Sequence, residues 1–148
     1  MPTELDAIIT ELADADDTER REILLEFVKK LPPLPERLSE FKDEAHRVPE
    51  CQSPVFLFVE LEGDRVRLHA DAPIEAPTVR AFVAILVQGL DGASYEDVLK
   101  VPGDLLQRSG LINILGMLRL NGLTGVLNRL KRAVTAALVE RAANPPAP

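Results

Sequence analysis

With one cysteine, two histidines, one tyrosine and no tryptophan, this 148-residue chain has few side chains able to carry chemistry. A lone cysteine excludes an internal disulfide, so nothing here calls for an oxidising compartment. It also excludes a dithiol redox pair, which wants a second, resolving thiol. A closed zinc site wants four ligands at short spacings; Cys51, His46 and His69 would need a carboxylate such as Asp71 to complete the set. A metal is therefore not expected. No G-x-x-x-x-G-K-S/T or G-x-G-x-x-G pattern is present to cradle phosphates, and Ser53 and Ser94 lack a nucleophile-elbow context. Nor does any apolar run reach the roughly 18 residues of a membrane-spanning helix. The opening Met1-Pro2-Thr3-Glu4-Leu5-Asp6 is acidic and lacks the basic and apolar regions of a signal peptide. The expected location is the cytoplasm, away from membranes.

Positive charge is also scarce. Lys and Arg number 17 against 24 Asp and Glu, a formal net charge of −7, which disfavours nucleic acid as a partner because its phosphates must be neutralised. The deficit is uneven. Residues 1–118 carry 12 basic and 23 acidic side chains, whereas residues 119–148 carry Arg119, Arg129, Lys131, Arg132 and Arg141 against Glu140 alone. A basic stretch on an acidic protein can orient a protein partner, or it can be a solvated helix face.

What remains is enough for a core. The length suits one domain and 46% of residues are apolar. The expected boundaries are a domain over 1–142 and a frayed tail over 143–148. Thr3 and Asp6 form a capping-box pattern ahead of Leu5, Ile8, Ile9 and Leu12, predicting a helix over 3–13. Asp16 and Asp17 open a second, which carries Ile23, Leu24, Phe27 and Val28 and runs to about Lys30 before Pro32, Pro33 and Pro35. An irregular polar connection follows to Glu50, with room for a helical turn within 36–45. Residues 55–61 and 65–70 flank Glu62-Gly63-Asp64 as an antiparallel hairpin. Its first strand is apolar on both faces. Its second alternates Val66, Leu68 and Ala70 with Arg65, Arg67 and His69, putting His69 on the exposed face; His46 is expected at the surface.

Pro77 opens a helix over 77–88, with Gly89 and Gly92 as its end. Short pieces follow at 95–100, capped by Ser94, and at 104–108; residues 111–115 are loop or short helix. Asn121 is the expected N-cap of a last long helix carrying Leu123, Val126, Leu127, Leu130, Val134 and Leu138, which Asn144-Pro145-Pro146 ends. A hairpin among helices makes an α+β protein: a small antiparallel sheet packed by helices.

The stretch Arg47-Val48-Pro49-Glu50-Cys51-Gln52-Ser53-Pro54 puts the one cysteine on a proline-stiffened loop that feeds the hairpin. A free cysteine is often an apolar filler, but Glu50, Gln52 and Ser53 argue against a core position. A hydrolase would want His46 or His69 as base. A carrier thiol needs no partner in its own chain, and a second cysteine nearby would discharge a persulfide by forming a disulfide.

Val48-x-x-Cys51-Gln52-Ser53-x-Val55, the hairpin, Ala70-Asp71 before a helix, and Leu118-Arg119-x-Asn121-Gly122-Leu123 together resemble the SufE family. These are sulfur acceptors for cysteine desulfurases in iron–sulfur cluster assembly. The resemblance spans about residues 18–138. It implies an α+β fold similar to iron–sulfur scaffold proteins, and no cofactor of the chain's own. It also implies that Cys51 accepts persulfide sulfur from a desulfurase, stimulates that enzyme, and passes the sulfur to a cluster scaffold. Gln52, Ser53, Asp71, Arg119 and Asn121 are the supporting residues. Glu50 stands where the family usually has glycine, Pro54 and Phe56 where glutamine and tryptophan are common, and Ala81 where glycine is usual. The alternative is a non-catalytic adaptor on the same fold in which Cys51 only packs. Arg119, a cation placed where the helix dipole opposes it, is expected to pair with Asp71 and tie the last helix to the hairpin near the Cys51 loop.

Overall fold

Reciprocal caps start the two leading helices. The Thr3 hydroxyl accepts from the Asp6 amide while the Asp6 carboxylate accepts from the Thr3 amide at 2.7 Å, opening α1 (Glu4–Asp14). Asp16 and Glu19 repeat the device at 2.8 and 3.1 Å for α2 (Asp17–Val28). Each pair satisfies two amides that the helix cannot. The far end of α1 is closed by a side chain from α2: Arg20 donates to the carbonyls of Leu12 at 2.9 Å and Ala13 at 3.1 Å. The computed structural model describes residues 3–43, 46–48 and 53–144. Cys51 and Gln52 lie outside the described residues, as do Pro49 and Glu50.

The remaining elements are α3 (Glu36–Ser39), β1 (Phe56–Glu62), β2 (Arg65–Asp71), α4 (Pro77–Leu90), α5 (Tyr95–Leu99), α6 (Leu105–Arg108), α7 (Ile112–Leu115) and α8 (Met117–Ala143). The arrangement is α+β, as the order of patterns predicts. β1 and β2 pair antiparallel from Phe56↔Asp71 to Glu62↔Arg65 around Gly63, whose φ of 60° suits glycine in a tight turn. Val66, Leu68 and Ala70 of β2 are buried, and so are Leu57 and Phe58 on opposite faces of β1. Both sides of β1 are therefore covered near the start of the strand, as its apolar composition requires.

α4 is the centre of the core. Every residue from Ala81 to Val87 is buried, and Phe82, Ile85, Leu86 and Leu90 are almost wholly so. The helix runs past the position expected for its end, and the reason is packing. Gly89 is not a terminator; a Cβ there would stand 2.7 Å from the Cβ of Leu5 and 2.8 Å from its Cα. The glycine lets α1 lie directly on α4, a use that outweighs its cost in a helix interior of about 1 kcal/mol relative to alanine. Asp91 and Gly92 then turn the chain.

α8 also begins earlier than Asn121. Gly116 has φ 80° and ψ 165°, outside the helical region, and accepts from the Leu120 amide at 3.1 Å. Met117, Leu118 and Arg119 continue a helix without steric cost, so the break falls at the glycine rather than at the polar residue. Asn121 sits exposed inside the helix. Leu120, Leu123, Val126, Leu127, Leu130 and Val134 form its buried stripe. Two of its basic residues are structural ties: Lys131 donates to the Val101 carbonyl, and Arg141 to that of Gly63 while lying 5.9 Å from the Tyr95 ring centroid. Among the described residues no helix is long and apolar enough to cross a membrane.

Candidate functional site

The segment that carries Cys51 is clamped at both ends. Val48 donates to the Val55 carbonyl at 2.8 Å, Leu57 donates to the His46 carbonyl at 2.9 Å, and both valines are fully buried. Residues 46–48 thus run antiparallel to the start of β1 on the edge away from β2, with Arg47 bridged to Phe56. Two apolar anchors and a backbone bond thus join the described residues on either side of positions 49–52. Ser53 lies half-buried two residues before Val55, and its carbonyl accepts from the Val55 amide at 2.9 Å.

Three side-chain contacts brace the connection leading into this clamp. Arg37 of α3 donates to both carboxylate oxygens of Glu60 at 2.7 and 2.6 Å. Lys42 pairs with Asp71 at 3.1 Å. The His46 ring, held by Asp43 at 2.8 Å, stacks on Phe58 with centroids 4.5 Å apart and planes 22° from parallel. His46 is therefore half-buried and has a partner on the sheet rather than standing free at the surface. His69 likewise departs from the open face expected for it: it is half-buried with Nε2 3.2 Å from Glu60.

The hydrogen bonds from Arg37 hold the Glu60 carboxyl below the usual carboxylate range, aided by the charges of Arg37 and His69. A depressed folded-state pKa contributes stability that is present above the unfolded value of about 4.3 and lost as pH falls through the folded value. Replacing Arg37 with alanine is expected to return the Glu60 midpoint upward. A carboxyl-carbon NMR titration of both proteins reads this, and an unchanged midpoint would show that Arg37 is not the cause.

Asp71 and Arg119 are not brought together. Asp71 ends β2, opposite Phe56 and beside the clamp, and its partner is Lys42. Arg119 lies exposed in the first turn of α8, where it lines a cleft of about 300 Å³ with Arg21, Leu25, Val28, Pro77 and Leu115. The expected pairing fails because α8 starts at Gly116, which places Arg119 within a helical turn packed near α2. Leu25 in this cleft is 63% exposed, and Met117 and Leu118, the two residues before Arg119 in the chain, are 55% and 86% exposed. Sequence reading misses these exposed apolar residues. Their signal is present, however: Leu25 falls off the buried stripe of α2, and Leu118 off that of α8. Arg37 and Lys42 leave no local signal at all, since their partners lie 23 and 29 residues away. Among the described residues no group of three or more His, Cys, Asp and Glu could hold a metal ion.

Comparison with known proteins bears on this geometry. The family described as SufE, Fe–S metabolism associated domain, matches residues 6–134. An uncharacterised SufE-like protein of Mycobacterium tuberculosis is 42% identical over 138 residues, covering 93% of this chain and 95% of that one. A protein named cysteine desulfuration protein SufE, from Plasmodium falciparum, is 30% identical over 110 residues, covering 70% of this chain and 41% of its own length. A solution structure of a hypothetical protein from Thermus thermophilus superposes with TM-score 0.81 at 38% identity, covering 94% of this chain and 99% of that one. The Val48–Val55 clamp beside an antiparallel hairpin, the α+β fold and these matches agree: the chain belongs to the SufE family of Fe–S metabolism associated domains.

Proposed function

We propose that this chain is a sulfur acceptor and carrier. In this reading Cys51 takes the outer sulfur of a persulfide held by a cysteine desulfurase, stimulates that enzyme by clearing it, and passes the sulfur to an iron–sulfur cluster scaffold. The observation that carries the reading is the clamp. The chain's one cysteine lies in a segment whose ends, Val48 and Val55, are buried and hydrogen-bonded to each other, in a chain of the SufE family.

The chemistry needs no redox partner. The Cys51 thiolate attacks the outer sulfur of the donor persulfide, the donor S–S bond breaks, and the donor cysteine leaves as a thiolate. A new S–S bond forms on Cys51, so one sulfur atom moves with no net oxidation. Transfer to the recipient repeats the exchange. Nucleophilicity and access set the rate of each attack. A chain with no second cysteine cannot lose the sulfur by closing an internal disulfide.

The test is incubation of the full chain with a cysteine desulfurase and free cysteine, followed by intact-mass and peptide mass spectrometry. The expected result is a gain of one sulfur atom, located on Cys51 and removed by dithiothreitol. No gain while the desulfurase turns over would overturn the proposal. Faster turnover without sulfur on Cys51 would instead identify the chain as an adaptor.

A further inference from the structure

The chain from Pro32 to Asp43 lies against the hairpin without entering the core. It is bounded by two buried anchors, Leu31 and Val48, yet none of its own residues is buried. Leu34 and Leu38 are half-buried but stand outside the apolar cluster of the core, and Phe41 is 51% exposed. Its backbone hydrogen bonds are local: Leu38 donates to Pro35, Phe41 to Leu38 and Asp43 to Phe41, each at 2.9 Å. Among the described residues no backbone bond joins it to the sheet.

Its ties to the hairpin are made by charged side chains instead. Arg37 pairs with Glu60 and Lys42 with Asp71, and all four side chains are more than a third exposed. Exposed pairs contribute little each and are screened by salt. Beneath lies one ring. Phe58, on the same face of β1 as Glu60, is 3% exposed yet stands outside the core cluster, and His46 stacks on it at 4.5 Å. An element with few buried apolar contacts and solvent-exposed ties opens at low free energy while the rest stays folded.

We propose that Pro32–Asp43 is a releasable strap: it lifts from the outward face of the hairpin, uncovers Phe58, and frees the upstream foot of the segment that carries Cys51. The last step follows from connectivity. The strap leads to His46, whose carbonyl accepts from the Leu57 amide, and to Arg47, bridged to Phe56. Leu31 and Val48 remain as the buried anchors about which it moves. A docking protein that binds the released cations drives the opening by its differential affinity for the open form. The proposal does not rest on the sulfur-transfer reading, and no desulfurase enters its test.

Native-state hydrogen exchange of the full chain in rising urea reads the opening. The Leu57 amide is expected to exchange about a hundred-fold faster than that of Ile85, in the centre of α4, and to respond little to low urea while Ile85 follows global unfolding. Replacing both cations, Arg37→Gln with Lys42→Gln, should speed exchange at Leu57 by about five-fold, the scale of two exposed ion pairs. Sodium chloride at about 1 M should do the same in the wild type. A nitroxide on Cys51, the chain's one thiol, should gain mobility under both conditions. Leu57 exchanging only together with Ile85, or a rate insensitive to the double substitution or to salt, would overturn the strap. A nitroxide spectrum that stays the same while Leu57 speeds up would overturn its link to the Cys51 segment.

Discussion

A chain with Cys51→Ser will take up no sulfur from a desulfurase and will not speed its turnover, while keeping its fold. Serine matches the size of cysteine, but its hydroxyl is far too weakly acidic to attack a persulfide at neutral pH. The loss is therefore to background rather than by a factor. The local anchors, Val48 and Val55, are untouched by the substitution and keep the clamp. Circular dichroism during denaturation checks the fold, and peptide mass spectrometry after incubation with desulfurase and cysteine checks the sulfur. A serine variant that still gains sulfur would move the acceptor elsewhere. A variant that takes none yet still stimulates the desulfurase would separate docking from acceptance, leaving the chain as an adaptor.

The hairpin and most helix starts were legible because their determinants are local. Thr3 with Asp6, Asp16 with Glu19, Ser94 with Asp97 and Pro77 at the first turn of α4 are each settled within four residues. Misreadings arose where a distant contact overrides a local signal. Gly89 reads as a stop, yet the neighbour that requires it is Leu5, on another helix. Asn121 reads as a cap, yet nothing between it and Gly116 resists helix, so the cap moves to Gly116 and α8 takes in five more residues, 117–121, at its start. That shift alone carries Arg119 to the α2 side and leaves Asp71 to Lys42. The braces of the candidate site were illegible for the same reason. Arg37 and Lys42 stand in a polar connection with no periodicity, and only folding brings Glu60 and Asp71 to them. Val48 and Val55, by contrast, were readable as the apolar flanks of the loop; that they bond to each other was not.

Truncating Leu127 or Leu130 to alanine will cost about 2–5 kcal/mol each, against a typical total stability of roughly 5–15 kcal/mol. Both side chains are fully buried on the stripe by which α8 packs on β1 and the short helices between α4 and α8. The expected loss combines two terms: the transfer of the removed atoms, about 0.8 kcal/mol per methylene, and a cavity that neighbours on several elements cannot all move to fill. α8 offers its own control. Leu118, 86% exposed on the same helix, should tolerate alanine to within about 0.5 kcal/mol, since the change touches no core contact and alanine is the better helix former. Urea titration of the three variants measures the contrast. The midpoint should fall steeply for positions 127 and 130 and hardly at all for 118, with slopes like that of the wild type. Small losses at both buried positions would mean that α8 is not held by this face. Its basic ties at Lys131 and Arg141 would then have to carry the attachment, and such partly exposed contacts are too weak to do so alone.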